Sequence, residues 1–382
     1  MKRLLILCFT FLLSVVDSTE NTICLNMIVK DEAPVIKRCL ESIKPFIDYW
    51  VIVDTGSSDN TQEVIREFLS DIPGELHEQA WVNFGHNRNE ALKLAKGKGD
   101  YLLFIDADEI LEGSFNKKTL HRDVYLGTLR TSTEPLSTCL RALLINNHLT
   151  WAWHGVLHES LKHEEERSFE TLQDVIISAE AKDGHRSTDP KKYLKDAQTL
   201  EAALLNEPNN SDYVYYLAQS YYNAKKLNLA LKNYEKRAKM AGWDQHTFWA
   251  KYYMGHLQEL LEMDSDLVIK SYCEAYRYRP TRAEPLCRLA NYFYNQKNYI
   301  LGYLLARFGE TIPIPDDIVY VEKWIYDYGM LAVCANCSLE MGKNEEAIAA
   351  YQKIAKRAEI PDIVREQALS TIQFLLEKKP LK

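Results

Sequence analysis

Asp106-Ala107-Asp108-Glu109 closes an apolar run, Tyr101-Leu102-Leu103-Phe104-Ile105, that reads as a fully buried strand. Carboxylates this close repel one another, and ionising all three is costly unless positive charge sits among them. A divalent cation of the Mn²⁺ or Mg²⁺ type is the usual remedy, since such ions take carboxylate oxygens. Two more apolar runs end in acids and small residues: Ile23–Val29 runs into Lys30-Asp31-Glu32, and Tyr49–Thr55 runs through Asp54 into Gly56-Ser57-Ser58-Asp59.

The elements that must position these groups follow from the hydrophobic pattern. Pro34 and the acids before it open a helix carrying Ile36, Leu40 and Ile43 at helical spacing. Asp59 or Asn60, each with Gln or Glu three residues on, starts a second helix with Val64, Ile65 and Phe68. A short strand near Leu76–Ala80, a helix over Phe84–Lys96 and the Tyr101 strand complete a β-α-β-α-β-α-β order. Right-handed crossovers place such strands side by side and parallel, so the three polar clusters converge at one rim of the sheet, where ligands of open α/β sheets bind. Neither G-x-G-x-x-G nor a P-loop is present, which weighs against dinucleotide and NTPase sites.

Further on, Val124–Thr131, Cys139–Asn146, Trp151–His158 and Val175–Ala179 read as strands of a mixed or antiparallel half. Trp151 and Trp153 alternate there, offering one aromatic face to a sugar or to the core. His154 and His158 are four apart, but Gly155 and the alternation favour extended chain, and H-E-x-x-H is absent.

Cys24-Leu25-Asn26-Met27-Ile28-Val29-Lys30-Asp31-Glu32, Val53-Asp54-Thr55-Gly56-Ser57-Ser58-Asp59-Asn60-Thr61, His86-Asn87-Arg88-Asn89-Glu90-Ala91 and Ile105-Asp106-Ala107-Asp108-Glu109 together resemble family 2 glycosyltransferases of the GT-A fold. That resemblance implies a Rossmann-like, nucleotide-diphospho-sugar transferase domain. It implies that Asp54 meets the uracil of a UDP-type donor, that Asp106 touches the ribose, and that Asp108 holds Mn²⁺ or Mg²⁺ on the diphosphate. It also places Glu32 and Arg88 near the nucleoside and diphosphate. Related enzymes carry a His-Glu pair where His158-Glu159 stands, which makes Glu159 the expected base, with His158 or His185 a third metal ligand. The Glu-Asp base motif of the family is not evident in this chain.

Past Asp189-Pro190 the chain turns to long Tyr- and Ala-rich helices. Ala218, Tyr221, Ala230 and Tyr234 fit a tetratricopeptide spacing of small and aromatic residues. Gly255, Tyr272 and Ala275 fit a second unit, Ala290, Gly302 and Ala306 a third, and Ala335, Ala347 and Tyr351 a fourth. Units start near 210, 247, 282 and 327, enough to bury their faces against one another. The segments around Ala218–Tyr221, Gly242-Trp243 and Arg279–Leu286 resemble the helical tail of transferases joined to such repeats. The organisation is therefore a leader over 1–20, a GT-A domain over 21–188 and a repeat domain over 189–382.

Net charge of −8 over 382 residues, with no Lys/Arg run, gives no reason to expect nucleic acid. Lys2 and Arg3 before Leu4–Val16 resemble a secretory signal or a short hydrophobic anchor. The chain would then be secretory or membrane-associated, touching the membrane through this segment if uncleaved; a cytoplasmic location is the alternative. The eight cysteines form no framework and read as buried thiols. The function implied is metal-dependent, inverting transfer of a sugar from a nucleotide donor to an acceptor hydroxyl on a glycan or protein. The rival from another class is a silent transferase-like platform whose repeats bind a protein partner.

Overall fold

The computed structural model describes residues 20–131, 138–179, 183–317 and 320–377. The leader falls on residues outside these, and among the described residues no helix is long and apolar enough to cross a membrane. Four strands, β1 (Ile23–Val29), β2 (Tyr49–Asp54), β3 (Gly74–Glu78) and β4 (Tyr101–Leu103), alternate with helices α1 (Ile36–Ile43), α2 (Thr61–Phe68) and α3 (Phe84–Leu94). These strands lie parallel in the order β3-β2-β1-β4, and their carboxyl ends share one rim. Val29 pairs with Asp54 and Leu25 with Leu103, so β1 is the central strand between the Asp54 tip and the chain leading to Asp106.

Burial on both faces explains the near-continuous apolar runs. Ile23, Leu25, Met27 and Val29 face a layer of Ile36, Leu40 and Ile65, while Cys24 faces Ala95, Leu102 and Phe104 on the other side. The remaining strands are β5 (Ile110–Gly113), β6 (Val124–Thr131), β7 (Thr138–Asn146), β8 (Ala152–His154), β9 (Ser160–Lys162) and β10 (Phe169–Ala179). The sheet continues antiparallel from β4 to β7 and β6, then parallel to β10, with β5 at the edge.

One strand expectation and one helix-cap expectation need correction. The stretch 151–158 is not one strand: β8 stops at His154 and pairs only with β9, because Gly155 (φ 117°) and His158 (φ 52°) turn the chain. Both tryptophans pack inward, Trp153 edge-on against Phe104, so the pair belongs to the core. In the same way Asp31 does not cap α1; at φ 53° it reaches across to the second loop instead. The seven described cysteines are free thiols, five of them buried.

The second half is all helix: α4 (Lys192–Asn206), α5 (Ser211–Asn223), α6 (Leu227–Arg237), α7 (Asp244–Leu260), α8 (Ser265–Tyr278), α9 (Glu284–Asn295), α10 (Tyr299–Gly309), α11 (Met330–Glu340), α12 (Asn344–Ala355) and α13 (Asp362–Glu377). Four hairpins start at 211, 244, 284 and 330 in a tetratricopeptide-like solenoid, with α4 and α13 at its ends. The small residues of the repeat pattern sit where helices touch: a Cβ on Gly255 would lie 2.8 Å from the Tyr272 ring, and one on Gly302 2.9 Å from Cys337 Sγ. Phe84 and Val156 of the α/β half pack into the core of the repeats, beside Leu157, Leu200 and Tyr213.

Candidate active site

The first two strand-tip loops are stitched together. Ser57 Oγ accepts from Asp31 N (2.9 Å), Asp31 Oδ1 accepts from Ser58 N (2.6 Å), and Thr61 Oγ1 accepts from Glu32 N (2.8 Å). The Ser58 amide is the main reason the Asp31 carboxyl is held below its usual range. Asp54, buried at the tip of β2, takes Gly56 N and Ser57 N on Oδ1, while its buried Oδ2 has no partner. Two strand spacings, about 10 Å, separate this tip from the Asp106 loop on the same rim.

Arginines supply most of the positive charge that the acids demand. Arg88 on α3 donates Nη2 to Asp106 Oδ1 (2.6 Å) and Nε to Glu159 Oε1 (2.5 Å), and lies over the Trp153 ring. Arg141 on β7 grips Glu109 with both Nη atoms and stands 3.5 Å from Asp106 Oδ2. Burial alone would raise the Asp106 carboxyl, but Arg88 and Arg141 bring it down to about 2. Arg38 Nη2 donates to the Asp108 carbonyl (3.2 Å), but the Asp108 carboxylate accepts only a long bond from Ser187 Oγ (3.5 Å) among the described hydrogen bonds, and burial and the Asp106 charge push it up. Glu32 is raised to about 7, by burial first and by Asp108, Asp106 and Asp59 in addition.

The segment leading into α4 crosses these acids. A Cβ at Gly184 would lie 2.5 Å from Asp108 Oδ2, so only glycine lets the chain pass there. His185 follows, its N–H on Glu32 Oε2 (3.2 Å) and its Nε2 3.7 Å from Asp31 Oδ2. Arg186 then lies over the Phe84 ring and pairs with Asp196 of α4.

Two cavities meet at this crossing. The first, about 460 Å³, is bounded by Glu32, Thr55, Trp81, Phe84, Arg88 and His185. The second, about 680 Å³, lies between the strand tips and the inner helices of the repeats. Asp106, Asp108, Arg186, Ser187, Lys192 and Asp196 line both.

Residues 24–122 match the family model of Glycosyl transferase family 2. This segment is a family 2 glycosyltransferase domain. The chain is similar in part to the SPbeta prophage-derived glycosyltransferase SunS of Bacillus subtilis, 22% identical over 246 residues, 57% of this chain and 55% of that protein. A tetratricopeptide repeat-containing protein of Synechococcus elongatus is 39% identical over 89 residues, 23% of this chain and 21% of its own length. The chain thus spans about half or less of the curated relatives it matches. A Staphylococcus aureus TarS fragment solved with UDP-GlcNAc covers 67% of this chain and 91% of its own, at 15% identity and a TM-score of 0.36.

The structure brings Glu32, Arg88, Asp106, Asp108 and His185 onto the first cavity; Asp54 does not line it, although the next residue, Thr55, does. The two expected third ligands part company. His185 faces the first cavity, while His158 faces the second, stacked on Tyr216. His158 opens onto that cavity but is ringed by protein, and this burial, with Arg186 and Lys192 nearby, pushes its imidazole down to about 4. Among the described residues no three His, Cys, Asp or Glu side chains are grouped to hold a metal by themselves. Glu159 lines neither cavity and spends its carboxylate on Arg88. Sequence reading missed Arg141, Arg186, Lys192 and Asp196. Nothing local marks them, since each reaches the site only through tertiary approach.

Proposed function

We propose that the chain is an inverting glycosyltransferase that moves a sugar from a UDP-type nucleotide donor to an acceptor hydroxyl. The observation that carries this is the convergence of strand-tip acids and Arg88 on one rim of a family 2 domain, bordering a cavity. Asp54 suits the base of the nucleotide, with an unpartnered Oδ2 where a donor N–H would be welcome. Asp106, fixed by two arginines, suits the ribose.

Asp108 and His185 would hold Mn²⁺ or Mg²⁺, ions that commonly take one or two protein ligands and complete their shell with phosphate and water. When bound, such a cation neutralises the departing diphosphate. Arg186 and Lys192 face the same space and add charge-assisted bonds to phosphate oxygens. The acceptor oxygen bonds to the anomeric carbon, and the bond from that carbon to the diphosphate oxygen breaks with its electron pair on the diphosphate. The hydroxyl proton passes to a carboxylate. Asp196 also pairs with an arginine, Arg186, but it lines both cavities and burial still raises it, whereas Glu159 lines neither; position makes Asp196 the better base.

Thermal denaturation with UDP and a panel of UDP-sugars, each with and without Mn²⁺, tests the reading on the wild type and on Asp108→Ala. A donor-specific, Mn²⁺-dependent rise in melting temperature, lost in Asp108→Ala, is expected. A wild type that ignores every nucleotide sugar would support the silent platform instead.

A further inference from the structure

The second cavity uses surfaces that the donor chemistry leaves idle. Its far wall is built by α5, α7 and α9, the inner helices of three successive hairpins. Tyr215, Gln219, Tyr222 and Asn223 occupy one face of α5 at spacings of four, seven and eight. Trp249, Tyr253 and His256 repeat that arrangement on α7, and Arg288 with Glu322 closes the end. Tyr222 Oη and His256 Nε2 share a hydrogen bond (3.1 Å), and Arg288 pairs with Glu322 (3.0 Å), so the polar groups are already oriented.

We propose that this chamber is the acceptor site and that it takes the end of a neutral carbohydrate chain, an inference that rests on the transferase reading above. Three features favour a sugar over a peptide. Ring faces alternate with amide and hydroxyl groups, the mixture that apolar C–H faces and equatorial hydroxyls of a pyranose require. The repeat-side wall is helix surface whose backbone groups are spent within the helices, so an extended peptide finds no strand edge to join. The wall is also too polar for the apolar face of an amphipathic helix. Five carboxylates line the chamber, Asp106, Asp108, Glu109, Asp196 and Glu322, against Arg186, Lys192 and Arg288, a balance that repels a polyanion. Because Asp106, Asp108 and Asp196 belong to both chambers, a sugar end seated here meets the donor at their common wall.

The test is an array of neutral oligosaccharides, anionic oligosaccharides and peptides, probed with the full chain in UDP and Mn²⁺. Wild type should retain neutral glycans, and Tyr253→Ala should lose them by about tenfold or more. Tyr253 stacks on the core ring of Tyr234, so a double variant, Gln219→Ala with Asn223→Ala, repeats the test at half-buried helix positions that alanine suits. The UDP-induced thermal shift serves as the fold check for both. Retention of peptides alone, of anionic glycans alone, of no glycan, or retention that neither variant alters would each overturn the proposal. A wild type that shows no UDP shift fails the donor reading separately, because glycan capture is scored without any donor turnover.

Discussion

At the scale of single residues, the site is a contest for positive charge. Arg88 and Arg141 pair with Asp106 and Glu109, and three carboxylates with raised proton affinity, Glu32, Asp108 and Asp196, border the first cavity. Which acid takes the acceptor proton is open to direct measurement. Asp196→Asn should lower transfer by about 10²–10⁴ while leaving the UDP thermal shift in place. Glu159→Gln should instead weaken that shift, because it loosens the guanidinium that fixes Asp106. Steady-state transfer beside UDP titrations separates the two outcomes. A second residue-scale effect concerns pH. Burial, with Arg288 nearby, holds the His256 imidazole at about 4, below its ordinary 6.5. The unfolded chain therefore takes up a proton near pH 6.5 that the folded chain refuses until about pH 4, and stability falls as pH drops through that window. His256→Gln should make the loss of melting temperature between pH 7 and pH 4.5 shallower. His158, depressed in the same sense, keeps part of the slope.

Among the elements, what the sequence disclosed depended on whether the signal was local. β1, β2 and β4 with α1 to α3 were legible because each carries its own complete apolar pattern, and the strand-tip loops followed from their order. β5 was not, since Ile110–Gly113 is four residues long and exists only by pairing with the distant β10. The 151–158 stretch misled for another reason: two positive-φ residues, Gly155 and His158, cut an alternation that a period of two alone cannot reveal. Asp196 could not be found from its neighbours, because α4 looks like any amphipathic helix until it docks against the strand tips. The repeat starts were legible to within a few residues, because small residues must recur where helices touch. Inside that array, Arg282 and Glu284 are both fully buried, and Arg282 also pairs with Asp317 and lies over Phe248 and Trp249. Removing one partner strands the other's charge. Glu284→Ala should cost about 3–5 kcal/mol in urea denaturation, with the transition midpoint falling accordingly.

On the scale of the whole molecule, the boundary at 188/189 divides the chain but not its core. Phe84 and Val156, with Leu157, cross to the repeat side, and Lys192 and Asp196 cross back to line the first cavity. A fragment of residues 21–188 would expose that apolar surface, so it should be recovered as aggregate, while the full chain should melt in one calorimetric transition. A soluble, cooperatively melting fragment would contradict this.

Gly184 marks the joint itself, where the backbone grazes Asp108 on its way into the first helix of the array. The joint between the two halves and the carboxylate proposed to hold the cation are therefore the same few ångströms of chain. A solenoid bends along its length like a coil spring, and here one end of the spring is bolted to the chemistry. Strain carried along the array into α4 would reach Asp108 through that glycine, without a contact of its own at the strand tips.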